Sequence, residues 1–480
     1  MKNETREILG YLSLPGVDYA DVRIVRREIE RIKVKNQRVE TASSIVDYGY
    51  GARVLFKGAW GFSSSSQFGS EGFKRTAEEA FNIARASRMV KDRETILVPT
   101  EVINDKWVAN CEKDPFKIPF NEKVKLMMEA EKLLHTSEDI KIGDVSLEFF
   151  KEDKTFASSE GSYIEQSFIE SGAGVTALAI KDGEVQKRSY PTSFGGDYRK
   201  AGWEFVEGLK LSENAARVGE EATQLLYSPP VPGVVSTLIL DGTQMTLQIH
   251  ESCGHPTELD RVLGSEASYA GTSFLTPDKL NNFQYGSSLV NLYQDATEPY
   301  GLGSYAYDDE GVKARKTYLV KAGQFVGYLT SRETAMILKQ NSNATMRADG
   351  WNRLPLIRMT NINIEPGNKT LEELIGEVDH GFYMLTNKSW SIDDKRLNFQ
   401  FGCEIAYEIK DGKLGKIHKN PTYTGITYEF WRSMDALCNT DYFRVWGLPN
   451  CGKGEPPQTA RVGHGTVPAR FRNVRMGVVK

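Results

Sequence analysis

The run His250-Glu251-Ser252-Cys253-Gly254-His255 places two imidazoles around a carboxylate that directly follows the first of them. Hydrolytic zinc sites need these parts: neutral nitrogen ligands to hold the ion, and a carboxylate to take a proton from water. In the common H-E-x-x-H arrangement the histidines are four apart and share a helix face. Here they are five apart, a rotation of about 140° on an ideal α-helix. Both can face one ion only where the helix ends or bulges between them. Gly254 relaxes the backbone and Pro256 biases His255 away from helical angles, so the spacing predicts His250 in a last helical turn with His255 just beyond it. A π-bulge would serve equally well.

The elements that must carry this motif are legible upstream. Val234 to Leu240 reads as a buried strand, Asp241-Gly242 as a turn and Thr243 to Glu251 as a short helix.

A third ligand must come from elsewhere in the chain. Of the five cysteines, Cys403 alternates with polar residues in an apolar strand pattern, Cys438 reads as a helical core residue, Cys111 sits in a polar connector and Cys253 reads as packing. Cys451 lies in Leu448-Pro449-Asn450-Cys451-Gly452-Lys453-Gly454, read as a tight glycine-rich loop in which Lys453 favours the thiolate. On spacing alone Cys451 stands only modestly ahead of His464.

The chain resembles the TldD/PmbA family of metalloproteases, on the TldD side. The resemblance is carried by the H-E-x-x-x-H run and by Cys451-Gly452-Lys453-Gly454. Between them, in family order, stand Asp308-Asp309-Glu310-Gly311, Gly327 to Arg332, and Arg358-Met359-Thr360-Asn361. It implies a zinc (Zn2+) peptidase with His250, His255 and Cys451 as ligands and Glu251 as general base, on the branch that keeps the metal motif. It also implies dimers that enclose the active sites, with unfolded or short peptides as substrates and either a second copy or a metal-free relative as partner. Arg347, Arg358 and Tyr305 are oxyanion-donor candidates by their place in the family blocks. Two departures stand out: Asn387 to Asp393 occupies the place of a glycine-rich stretch, and Pro256 follows the second histidine.

With 480 residues the chain suggests two or three domains. We expect an α+β protein: a duplicated N-terminal half of helix and antiparallel sheet (1–108 and 109–228), then a β-rich C-terminal metallopeptidase domain (229–480). The duplication is read from two helix–strands–helix runs whose closing helices carry apolar stripes, Phe73, Ala77, Phe81 and Ala84 in one and Leu211, Ala215, Val218, Ala222 and Leu225 in the other. Each half also holds a glycine pair, Gly49/Gly51 and Gly172/Gly174, read as a bend before a strand. Hairpin turns are expected at Lys57-Gly58, Asp182-Gly183, Ala322-Gly323 and Asp411-Gly412. Ser228-Pro229-Pro230-Val231-Pro232-Gly233 reads as a stiff linker.

A net charge of −4 argues against binding driven by nucleic-acid phosphates, and the basic run from Arg461 through Arg470, Arg472, Arg475 and Lys480 reads as a solvated or salt-bridged edge. No segment approaches a membrane span, and scattered, unpaired cysteines suit a reducing cytoplasm. Two other classes share these features: a non-catalytic binding or regulatory protein with a structural metal, and a zinc hydrolase of non-peptide amides. An acidic neighbour beside a ligand argues against the first.

Overall fold

The computed structural model describes residues 1–91 and 93–477, so Lys480 of the basic run lies outside the described residues. The N-terminal half is duplicated down to strand length. A helix (Lys2–Leu12) leads into strands Val17–Lys35, Arg38–Phe56 and Ala59–Ser65 and a closing helix, Ser70–Val90. A second helix (Phe120–Leu134) leads into Ile140–Ser158, Tyr163–Lys181 and Glu184–Tyr190 and closes with Leu211–Tyr227. The strands run 19, 19 and 7 residues in each copy. The copies join edge to edge where Asp21–Lys35 pairs antiparallel with Asp144–Ser158, making one continuous sheet. Each copy lays its helices over its own apolar cluster, one around Ile24, Tyr50 and Phe73 and the other around Leu147, Phe149 and Val218.

The expected stripes are buried on the sheet side, Leu225 beside the cluster of its copy and Phe81 packed at the margin of the other. The turns at Lys57-Gly58 and Asp182-Gly183 have positive φ at both central residues, the hairpin geometry that matches strand twist. The expected glycine bends are absent, because both glycine pairs lie inside 19-residue strands. Their role is close approach: a Cβ at Gly172 would stand 1.9 Å from the Tyr198 ring, and one at Gly49 would stand 2.4 Å from Trp351.

In the C-terminal part, strands His380–Ile392, Val234–Leu240, Ala469–Met476, Thr422–Ile426 and Asn398–Lys410 pair in a closed ring, since the first also pairs with the last. Closure leaves these five without a free edge. Cys403 is a buried residue of this ring, as expected. Cys438 follows the strand Met434–Leu437 and is not helical, because that segment adds to the ring through Ala469–Met476. The terminal strand sets the site. Ala469 pairs with Leu240, so the hairpin that precedes the one and the helix that follows the other leave the ring at the same end. That pairing brings residues some 200 positions apart in the chain to one place.

Three of the basic run's arginines are salt-bridged, Arg470 and Arg472 sharing Asp435 and Arg461 pairing with Glu148 and Glu170, while Arg475 is exposed. Among the described residues no helix is long and apolar enough to cross a membrane.

Candidate metal centre

Asp241 caps the motif helix by accepting from the Gln244 amide at 2.9 Å, and the α-helix Gly242–Ile249 is buried along its whole length. Its polar side chains find partners inside the ring: Gln244 donates to the Tyr423 hydroxyl, which donates in turn to Gln248. At His250 the helix widens into a single π turn, His250–Gly254, closed by the His255 amide donating to the His250 carbonyl. A 3₁₀ turn, His255–Thr257, follows. The helix therefore bulges and does not end, and the wider turn puts residues five apart on one face.

Two local expectations are corrected. His255 keeps helical angles (φ −58, ψ −43) in spite of Pro256, whose missing amide instead stops the π ladder after one turn. Thr257 then donates to the carbonyls of Cys253 and Gly254, both at 2.9 Å. Gly254 is also helical (φ −56), so its value is its size: a Cβ there would stand 2.1 Å from the Met359 sulfur.

Cys451 arrives on the strand Arg444–Lys453, opposite Ala460 on Gln458–Thr466, and not on a loop. A bulge between Leu448 and Cys451 takes up Pro449, which cannot donate to the ladder. The ring nitrogens of His250 and His255 and the sulfur of Cys451 lie within 4.8 Å of one another. The two rings stand at 87° with centroids 4.8 Å apart, and the Cys451 sulfur is 3.8 Å from His255 Nε2. A nitrogen and a sulfur bound to one tetrahedral zinc are separated by about 3.6 Å, so this donor set fits the ion.

The surrounding groups fix the protonation of that set. His464 lies behind His250 and does not join the three donors. A carbonyl can only accept, so His464 Nδ1 donates to Ile362 O at 3.1 Å, and its Nε2 accepts from His250 Nδ1 at 2.9 Å. His250 Nε2 is left bare toward the site. Burial pushes the His250 imidazole down to about 4, and burial together with the neighbouring His250 pushes His464 well below the usual range, so both rings are neutral. His255 donates through Nδ1 to Glu258 at 2.9 Å. Burial opposes ionisation of Glu258, but Lys453, His255 and Arg358 outweigh it and hold the carboxyl well below its ordinary value. Burial likewise opposes ionisation of Cys451, and Arg358 and His255 outweigh it, so the thiol lies below its usual value. The Lys453 charge is directed elsewhere, to Asp260 at 2.7 Å and Glu258 at 3.5 Å. Cys253 is buried without such neighbours, and its thiol is pushed up.

Glu251, buried, follows His250 in the π turn and accepts a charge-assisted bond from Arg396. Burial raises its carboxyl, while His255, Arg396 and His250 lower it, and the lowering prevails. Arg396 sits at φ +62 in a turn built by Asp393, which accepts from the amides of Lys395, Leu397 and Asn398. The stretch Asn387 to Asp393 thus supplies a strand and the anchor of the turn that aims Arg396.

His464 entered the sequence reading as a rival ligand; Glu258 and Arg396 did not enter it. Glu258 stands three residues after His255, one helical turn on, and that spacing is its only local signal. Of the oxyanion-donor candidates, Arg358 donates to the Cys451 and Gln458 carbonyls, Tyr305 donates to Ala344 O at 2.7 Å, and Arg347 donates to Met359 O at 2.8 Å.

Comparison with known proteins gives the class first: the relatives are metalloproteases. The PmbA/TldA metallopeptidase C-terminal domain matches residues 232–477, the family's domain 1 matches 20–84 and its central domain 113–227. The chain belongs to the PmbA/TldD metallopeptidase family. A metalloprotease of Methanocaldococcus jannaschii is 31% identical over 93% of this chain and 94% of its own. A zinc metalloprotease TldD homolog of Saccharolobus solfataricus is 22% identical over 96% and 97%. Among solved structures, TldE from Thermococcus kodakarensis matches with a TM-score of 0.74 at 18% identity over 100% of both chains. A putative modulator of a DNA gyrase from Thermotoga maritima matches at 0.78 and 16% identity, over 99% of this chain and 100% of that one.

Proposed function

We propose that the protein is a zinc-dependent peptidase that cleaves unfolded or short peptides with relaxed sequence preference. In this reading His250, His255 and Cys451 hold the ion and Glu251 is the general base. The observation that carries it is the meeting of two imidazole nitrogens and a thiol held below its usual value within 4.8 Å, beside a buried carboxylate. Zinc in such a set supplies Lewis acidity toward water and the scissile carbonyl. The chain supplies the rest. His464 holds His250 in the tautomer that offers Nε2, and Glu258 orients His255 in the same way. Glu251, kept ionised by its surroundings, takes the proton of the attacking water and delivers it to the leaving amine. A non-catalytic metal site has no use for a carboxylate held ionised beside its ligands.

The substrate binds as an extended strand through main-chain hydrogen bonds, which tolerate many side chains. The working assembly is a homodimer or a pair with a metal-free relative, in the cytoplasm. The test is a Glu251→Gln variant assayed on short unstructured peptides with the zinc-loaded protein and its partner. Retained metal with turnover lowered at least about a hundredfold supports the reading; unchanged turnover contradicts it.

A further inference from the structure

A cavity of about 450 Å³ lies between the N-terminal sheet and the C-terminal part, walled by strand residues such as Glu152 and Glu170 on one side and by Asn450 and Ala460 of the Cys451 hairpin on the other. Ala460 is the cross-strand partner of Cys451, so the cavity opens one residue from the metal centre. Its wall is highly charged, and most of the charge is already matched. Arg27 pairs with Glu152, Lys154 with Asp309, Lys200 with Glu170, and Arg461 with Glu148 and Glu170.

Arg347 is the exception. Among the described residues it forms no ion pair: one guanidinium nitrogen donates to Met359 O, and the group lies over the Tyr305 ring, 5.7 Å from its centroid. Met359 packs on Gly254 of the π turn, so Arg347 is tied to the motif through one residue. On the same wall Asp308 accepts from the amides of Glu310, Val312 and Met346, while burial and the neighbouring Glu310 push its carboxyl up. Among the described residues Arg347 is thus the cation of this wall that no carboxylate meets, with guanidinium donors left over. An arginine that lines a cavity without a counter-ion has donors free for an incoming carboxylate, which gains charge-assisted hydrogen bonds there.

We propose that this cavity is a substrate subsite in which Arg347 receives a carboxylate of the bound peptide, either an acidic side chain or the C-terminal carboxylate. The inference rests on the peptidase reading and adds to it a preference for peptides that place a negative charge to one side of the scissile bond.

Three otherwise identical peptides separate the sources: one with an internal Glu and an amidated C-terminus, one with Gln and a free C-terminus, and one with Gln and an amidated C-terminus. Binding to the zinc-loaded protein is measured by calorimetry and cleavage by kcat/KM, each for the unmodified protein and for Arg347→Met, which keeps the aliphatic stem over Tyr305. We expect the unmodified protein to favour one carboxylate-bearing peptide over the doubly neutral one by about tenfold or more. Arg347→Met should erase that preference. Equal binding of all three peptides by the unmodified protein overturns the subsite, whatever the variant does. Equal loss on all three in Arg347→Met also overturns it, since that marks a structural role. Charge-selective binding without cleavage upholds the subsite and sinks the peptidase reading; cleavage without charge selectivity does the reverse.

Discussion

His250 donates through Nδ1 to Nε2 of His464 at 2.9 Å, and His464 passes the chain on to the Ile362 carbonyl. The pair fixes which nitrogen of His250 faces Cys451. We expect His464→Leu to weaken zinc binding by about 10- to 100-fold, as loss of a ligand's outer partner does elsewhere, with His464→Gln, which retains an acceptor, closer to the unmodified protein. Competition titration against a chelator measures this; equal affinities in all three proteins would remove His464 from the site.

Met359 packs directly against Gly254 of the π turn. A methyl at residue 254 would meet the Met359 sulfur, so Gly254→Ala should cost about 1–3 kcal/mol of stability by overpacking. Met359→Ala added to it should recover part of that loss. Denaturant titration of the two singles and the double gives the answer, and strict additivity would contradict the contact.

In the metal-free protein the buried His250 resists protonation down to about pH 4, whereas the unfolded chain protonates near 6.5. The native state therefore binds fewer protons across that window, and stability falls as pH drops from 6.5 to 4, by about 3 kcal/mol from this group. Urea unfolding in the presence of a chelator should show a shallower decline for His250→Gln. An identical slope would mean that His250 is not buried neutral.

Cys253 and Cys451 are both buried, but only Cys451 lies among positive and donor groups. Cys451→Ser should lose bound zinc on purification and Cys253→Ser should keep it, as read by elemental analysis. The opposite pattern would move the third ligand into the motif.

Much of this was written in the residues. The helix stripes, the hairpin dipeptides and the strand before the motif are local patterns, and local patterns fix local structure. The five-residue histidine spacing demanded a bulge or a break, and the chain chose the bulge because the missing Pro256 amide limits the π ladder without unwinding it. The glycine pairs were misread because close approach is a tertiary fact: Gly172 has its partner at Tyr198 on the adjoining strand Asp197–Arg199, and Gly49 has its own at Trp351, some 300 residues on. Glu258, Arg396 and the supporting place of His464 were hidden for the same reason. Arg396 reaches Glu251 only because Asp393 folds its turn, and His464 reaches His250 only because Ala469 pairs with Leu240.

The convergence of three side chains on one cation is tested most directly by anomalous X-ray scattering at the zinc edge from crystals of the metal-loaded protein. We expect a single peak about 2.0–2.1 Å from the Nε2 atoms of His250 and His255 and about 2.3 Å from the sulfur of Cys451, with Glu251 outside the ligand set. A peak bound elsewhere, or one from which the Cys451 sulfur is absent, would contradict it.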